Sequence, residues 1–315
     1  MHRPLFIILI LNTILSAEVP VVPGRLSVDG LLWCYGTFSR GGARGWFKNA
    51  FEFRHRQATV GLTGKIAPPV SSRLEFDFSR LTLRDLAVEF TWHSGMGLKV
   101  GQMLLPLSFN SEIPEEQLNL EEYSLLCYTN ILKPENPRDI GVLCWYRSDS
   151  TDAAVLRAIA GVVNGTGPNT GDNNSAKDIF ARLVLKPWHT SRLALGARIY
   201  YGWTQAEAVP WLGLGAELQL NQGPFLISPE IALRRHQNVN VLAGDVKIEA
   251  RFHPVAPALS SEIIRWEDGK IQWRVLPGIN ILPHDRLKIL IGFQYHSLTD
   301  IWEYQALVIK LQAAL

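Results

Sequence analysis

The sequence predicts an all-β fold: a transmembrane antiparallel β-barrel of about sixteen strands, closed on itself, with one long segment inserted into its interior as a constriction loop. Three observations carry this. The chain holds ten tryptophans, and Trp92, Trp188, Trp203, Trp211, Trp266 and Trp302 fall near the ends of predicted strands, where barrels in bilayers carry aromatic girdles. The connections sort into two kinds, tight ones at 68–69, 148–152, 187–191, 221–223, 254–257 and 283–285, and others at 41–48, 164–176, 204–208 and the long insertion. Short turns on one rim and longer loops on the other are the habit of such barrels. Finally, the sequence closes on Ala306-Leu-Val-Ile-Lys-Leu-Gln-Ala-Ala-Leu315, a strand that can pair with the first and remove both sheet edges.

The N-terminus reads as a basic Met1-His-Arg-Pro, an apolar run Leu5-Phe-Ile-Ile-Leu-Ile-Leu11, and Ala17 before Glu18. Residues 1–17 are therefore expected to be a secretory signal peptide, and 18–315 one barrel domain. The apolar run is short of the ~20 residues a spanning helix needs, and no later run reaches that length. Membrane residence thus requires strands, because in hydrocarbon only helices and closed barrels satisfy every backbone N–H and C=O.

Segments of about ten residues follow, starting near Leu26, Phe51, Ser72, Asp85, Leu98, Arg138, Ala153, Asp178, Leu193, Trp211, Phe225, Asp245, Ala258, Lys270, Leu287 and Ile301. Alternation is clearest where Leu74, Phe76 and Phe78 oppose Arg73, Glu75 and Asp77, and where Val246, Ile248 and Phe252 oppose Lys247, Glu249 and Arg251. A two-sheet sandwich would alternate too, so the girdles, rims and closing strand decide between them. The composition, 47% hydrophobic and 19% charged with a formal charge of +2, gives no electrostatic footprint for nucleic acid. Cys34, Cys127 and Cys144 match neither a disulfide framework nor a zinc pattern, and Cys34 and Cys144 read as small apolar strand residues. No His spacing suggests a metal, and no cofactor is expected.

Between the strand at Leu98 and the one resuming at Arg138 lie about thirty irregular residues, and loops of that length are usually functional or disordered. This one carries Leu118, Leu120, Tyr123, Leu125, Leu126, Tyr128, Ile131 and Leu132, too much apolar surface for a free linker. The inside wall of a barrel is where it can pack, narrowing the passage.

Several motifs then line up in order and spacing: Gly24-Arg-Leu-Ser-Val-Asp29, Phe53-Arg-His-Arg56 with Gly61-Leu-Thr-Gly-Lys65, Leu74-Glu-Phe-Asp-Phe78, Val100-Gly-Gln102 with Pro106, Arg138-Asp-Ile-Gly-Val142, Asn164-Gly-Thr-Gly167, and Lys177-Asp-Ile-Phe-Ala-Arg182. With them the chain resembles the phosphate-selective porins O and P of Gram-negative outer membranes. The resemblance implies a sixteen-stranded, homotrimeric outer-membrane barrel for passive uptake of anions, with bilayer lipid and small polar or anionic solutes as its partners. One departure stands out. Where that family carries an aromatic followed by Glu-Arg-Ser in the inserted loop, this chain has Leu120-Glu-Glu-Tyr-Ser124, and the loop's Glu115, Glu116, Glu121 and Glu122 are the wrong sign for a phosphate throat.

By alternation, Arg54, Arg56, Lys99, Arg157, Arg182, Arg198, Lys247 and Arg251 should face the lumen, opposed by carboxylates such as Asp29, Glu75, Glu89, Glu217 and Glu230. Arg138, Lys177 and Arg182 lie in the shared motifs near the inserted loop. These cations either form a ladder passing anions between weak sites or a solvated wall of mutual ion pairs. The expected function is a water-filled outer-membrane pore without chemistry. The rivals are a lipase-like barrel enzyme and a non-conducting anchor or adhesin.

Overall fold

The computed structural model describes residues 19–22, 25–43, 48–92, 95–112, 137–148, 155–172, 175–188, 192–203, 209–237, 239–284, 287–299 and 302–314. After a short β1 (Val19–Val22) come β2 (Leu26–Ala43), β3 (Lys48–Ala67), β4 (Val70–Asp77), β5 (Thr82–Thr91) and β6 (Met96–Leu104). Beyond the inserted segment follow β7 (Arg138–Arg147), β8 (Val155–Val163), β9 (Asp178–Lys186), β10 (Leu193–Trp203) and β11 (Pro210–Gln222). The chain continues through β12 (Phe225–His236), β13 (Val239–Ala250), β14 (Val255–Arg265), β15 (Ile271–His284), β16 (Leu287–Leu298) and β17 (Trp302–Ala314). Each strand from β2 onward pairs antiparallel with the next, and β17 returns to β2, closing a sixteen-stranded barrel. The extra strand β1 pairs with the foot of β2, Val19 opposite Val28, just below the point where Ala314 of β17 stops opposite Leu31.

Period-two alternation fixes which side chain faces where. On β9, Ile179 and Leu183 point outward and are each 48% exposed, while Asp178 and Arg182 point inward and are 2% exposed. The same split puts Leu214, Ile231, Leu242, Ile263, Ile279, Ile291 and Ile309 outside, an apolar belt around the barrel. Cys34 and Cys144 carry free thiols. All the tight connections of the sequence reading lie on the rim that also holds the ends of β1 and β17; the longer ones lie on the opposite rim.

Three expectations are corrected. Of the six tryptophans assigned to girdles, Trp92 and Trp188 are exposed at the rim and Trp203 packs edge-on to Tyr201, but Trp211 and Trp266 turn inward; the side chain of Trp302 lies outside the described residues. Trp211 stacks on Tyr200 at 4.9 Å, and Trp266 covers Ala232, Val241, Ala243 and Ile264. Second, the inward face is not polar throughout: Leu143, Ile159, Val163, Phe180, Tyr200 and Trp211 form a buried apolar cluster with Met103, Leu105 and Leu107. Inward positions covered by another segment gain from apolar side chains, just as a soluble core does. Third, β2 and β3 run 18 and 20 residues rather than about ten, because residues 48–57 of β3 continue to pair with β2 well past the end of β4. Residues 1–17, where a signal peptide is expected, lie outside the described residues.

Candidate functional site

The inserted segment leaves β6 and turns into the barrel. Its two ends are clasped where Leu105 N–H donates to the carbonyl of Pro137 at 2.7 Å. Ser108 and Ser111 then cap a single helical turn, α1 (Phe109–Glu112): Ser108 N–H donates to Ser111 Oγ at 2.8 Å and Ser111 N–H to Ser108 Oγ at 3.1 Å. These satisfy orphan donors that a four-residue helix cannot bond internally.

The wall beneath this turn is a row of carboxylates. Glu217, Glu230, Asp245 and Glu262 stand directly opposite one another on β11, β12, β13 and β14, and the row ends on Arg274 of β15. Like charges in direct cross-strand register repel, so such a row needs donors. At one end Arg182 donates through Nε to Glu217 at 2.7 Å, and Arg198 pairs with Glu230 and lies 3.8 Å from Glu217. At the other, Arg274 grips Glu262 with two bonds of 3.0 and 2.9 Å. In the middle the inserted segment supplies the donors: Asn110 Nδ2 reaches Glu230 at 3.1 Å and Asp245 at 3.0 Å, and Phe109 N–H reaches Glu217 at 2.5 Å. Glu112 completes the seat, accepting from Arg157 at 2.6 Å and Arg182 at 2.7 Å. Arg182 also donates to the Pro106 carbonyl at 3.2 Å and lies 4.9 Å from the Phe109 ring centroid.

Across the barrel a second network lines β2 to β7. Arg73 bridges Asp29 at 2.8 Å and Glu75 at 2.7 Å, Arg84 reaches Glu75 at 2.8 Å, and Arg138 reaches Asp85 at 3.0 Å. Nearer the short-turn rim, Lys99 stands 3.9 Å from Glu89. A third set of contacts ties the loop after β8 to the wall. Asp139 accepts from the N–H of Gly165 at 2.9 Å, and Asp178 accepts from Tyr200 Oη at 2.7 Å and Trp203 N–H at 3.1 Å.

Among the described residues, seven of the ten predicted cations sit in ion pairs. Arg138, Arg157, Arg182, Arg198 and Lys99 hold the carboxylates just named. Arg251 pairs with Glu249 at the short-turn rim, and Lys177 pairs with Asp172 in the loop before β9. Lys247 faces inward between Ser228 and Ser260 in register. The side chains of Arg54 and Arg56 lie outside the described residues, as do Glu115, Glu116, Glu121 and Glu122. Sequence reasoning missed Asn110, the Ser108–Ser111 cap and the alignment of Asp245 and Glu262 with the other two carboxylates. Only the register shows that alignment.

Glycines make room for these flat-lying side chains. A Cβ at Gly196 would stand 2.3 Å from Glu217 Oε1, and one at Gly215 would stand 2.5 Å from Arg198 Nε. Gly196→Ala is expected to push Glu217 off Arg182 and to cost about 1–3 kcal/mol, the usual range for overpacking, in a urea titration of the folded barrel in vesicles.

The closed antiparallel barrel of sixteen strands is a fold this chain shares with solved outer-membrane proteins. The chain is similar to the anion-selective porin from Comamonas acidovorans, at 9% identity and a TM-score of 0.69 over 92% of this chain and 99% of that one. It is also similar to the outer membrane channel DcaP of Acinetobacter baumannii (10%, 0.69, 96% and 100%) and to OmpT of Vibrio cholerae in its trimer form (12%, 0.64, 92% and 99%). No family model and no curated protein matches the sequence. At these identities the likeness is one of fold.

Proposed function

We propose that this chain is a passive diffusion channel of the bacterial outer membrane for small polar solutes and ions, exported by its signal peptide and assembled as a homotrimer, without a reaction of its own. The observation that carries the reading is the division of the barrel's faces. Ionised side chains in matched pairs surround the interior, an apolar belt surrounds the exterior, and an inserted turn is fixed to one inner wall by buried ion pairs. Single-channel recording in a planar bilayer tests it: steady ohmic steps are expected, and their absence would favour an anchor or an enzyme.

The finer reading, an anion channel of the phosphate-selective porin O and P type, draws on two observations. The contact of Asp139 with Gly165 gives a physical reason for the Arg138-Asp-Ile-Gly and Asn164-Gly-Thr-Gly motifs to occur together. The mouth at the short-turn rim is also basic. Lys65, Arg147 and Lys186 occupy inward register positions there, two residues beyond inward-facing Thr63, Trp145 and Val184, and all three are exposed. Arg147 stands directly opposite Arg157. The first three make no ion pair among the described residues; Asp149, Asp152 and Asp285 of the neighbouring turns lie outside them.

Unpaired charge at a pore mouth concentrates counter-ions over about a Debye length, roughly 10 Å at 0.1 M salt and 3 Å at 1 M. The variant carrying K65Q, R147Q and K186Q is therefore expected to lose anion over cation permeability in reversal-potential measurements at 0.1 M salt. At 1 M it should match the unmodified channel. Equal ratios at both salts would remove the anion reading and leave a general polar pore.

A further inference from the structure

The loop between β8 and β9 starts as a continuation of the sheet. Asn164 N–H donates to the Ile140 carbonyl at 3.0 Å and Gly165 N–H donates to Asp139 Oδ2 at 2.9 Å, both on β7. By Asn169 the loop is bonded to β6 and β5 instead. Asn169 N–H donates to Gln102 Oε1 at 2.7 Å, and Asn169 Nδ2 donates to the carbonyl of Leu83, near the start of β5, at 2.8 Å. Neighbouring strands lie about 4.8 Å apart and a chain extends at most about 3.3–3.6 Å per residue, so the stretch from Gly165 to Asn169 spans the roughly 10 Å between β7 and β5 with little slack. Between its two anchorages the loop crosses the ends of β7 and β6. Those ends, Arg138 and Leu104, are the roots of the inserted segment.

Local chemistry accounts for both anchorages. The pairing of β5 with β6 begins only at Leu86 opposite Gln102, so among the described residues none of β6 stands opposite Leu83 or Arg84. Gln102 closes this gap with its side chain: Nε2 donates to the Leu83 and Arg84 carbonyls at 2.6 and 3.0 Å, while Oε1 receives Asn169 N–H. A side-chain amide carries donors and an acceptor, so a buried Gln102 can join a strand edge to a loop. The crossing itself uses left-handed backbone at alternate positions, with φ of 84° at Gly165, 87° at Gly167 and 58° at Asn169. Glycine adopts that region freely, and asparagine is among the few other residues enriched there. Thr166 and Gly167 are buried, so the crossing is packed down rather than looped out. Val100-Gly-Gln102, Arg138-Asp-Ile-Gly and Asn164-Gly-Thr-Gly, three separate stretches of sequence, thus meet in one structure.

We propose that residues 164–169 are a strap across the roots of the inserted segment, and that Asn169 and Gln102 are positioning residues that keep this segment within the barrel. The carboxylate row seats the segment's first turn, and the strap holds its neck, where Leu105 and Pro137 are clasped. The two restraints lie on different strands and use different bonds, so one can be released while the other stays. The consequence for transport rests on the channel reading above: a segment fixed at its neck and at its first turn gives one bore, whereas a segment free at its neck samples several.

The test is the rate at which a glutamate-specific protease cuts the inserted segment, which holds Glu115, Glu116, Glu121, Glu122 and Glu135, in the folded barrel in mild detergent, where both mouths are open. Fragment masses identify cuts within 113–136. Asn169→Gly keeps the left-handed backbone and the N–H but loses the side-chain bonds, and cutting should rise roughly tenfold as the open form becomes more populated. Asn169→Pro loses the N–H and cannot reach a φ of 58°, so cutting should rise roughly a hundredfold. Thr170→Ala, which removes a bond only to Pro168 of the same loop, should cut like the unmodified chain. Should the proline variant fail to fold, the glycine variant decides alone. Cutting that is no faster in Asn169→Gly, or equally fast in Thr170→Ala, overturns the strap, as does an unmodified segment cut as quickly as in the unfolded chain. In a planar bilayer the glycine variant should flicker between conductance levels where the unmodified channel is steady. A chain that gains the protease sensitivity but conducts in no form keeps the strap and removes the channel reading.

Discussion

Replacing Arg182 by Ala is expected to destabilise the folded barrel by roughly 3–5 kcal/mol and to release the inserted turn from the wall. The size follows from what the guanidinium holds. Its side chain is fully covered, and it joins Glu217 of β11 to Glu112 of the inserted turn at 2.7 Å each. Removing it leaves two carboxylates facing each other in a covered site, beside a row in which Glu217 already stands opposite Glu230. Breaking a buried pair costs far more than the pair itself contributes, because the surviving charge stays desolvated. Arg182→Lys should recover only part of the loss, since an ammonium cannot reproduce the fork that meets both carboxylates and the Pro106 carbonyl. Urea unfolding in vesicles measures the stability. Single-channel recording at 1 M salt, where the mouth charges are screened, measures the seat: conductance should rise and become noisy in Arg182→Ala, while Lys65→Gln, at the mouth, should leave both unchanged. A quiet channel of unaltered conductance would show that Asn110 and Phe109 hold the turn without Arg182.

This result also separates what the sequence makes legible from what it does not. Period-two alternation places a residue on one face or the other, so Arg182 and Glu217 could be assigned to the interior and Leu183 to the exterior directly. The two rims were legible because turn residues mark short connections. What alternation leaves undetermined is the stagger between strands. Whether Glu217, Glu230, Asp245 and Glu262 form one row or four scattered charges depends on a register spanning β11 to β14, and a shift of two residues in any strand would keep every face and dissolve the row. The same limit hides the seat of Asn110, whose partners lie 120 and 135 residues away. It also explains the tryptophans: Trp203 and Trp211 both end strands, but one has outward and the other inward parity, and only the second lies over the apolar cluster behind the inserted segment. A girdle assignment from position alone cannot see that difference.

One residue along β9 from Arg182, the opposite experiment should be nearly as damaging. Leu183 faces outward between Ala158 and Ala197, and an arginine there meets lipid instead of carboxylates. On the lipid face of a barrel such a change costs about 2–4 kcal/mol at the midplane, falling to about 0–1 kcal/mol near an interface. Leu183 lies three residues before the end of β9 at Lys186, about 10 Å along the strand, so a long side chain can partly reach the headgroups. Leu183→Arg should therefore fall near 2 kcal/mol. Ala181→Arg, deeper on the same face, should approach 4 kcal/mol, and Leu185→Arg should fall below 1 kcal/mol. The order of the three is the measurement that matters, because overpacking or lost strand propensity has no reason to follow depth. A flat series would mean that β9 does not cross a bilayer, since water on that face would accept an arginine at all three positions alike.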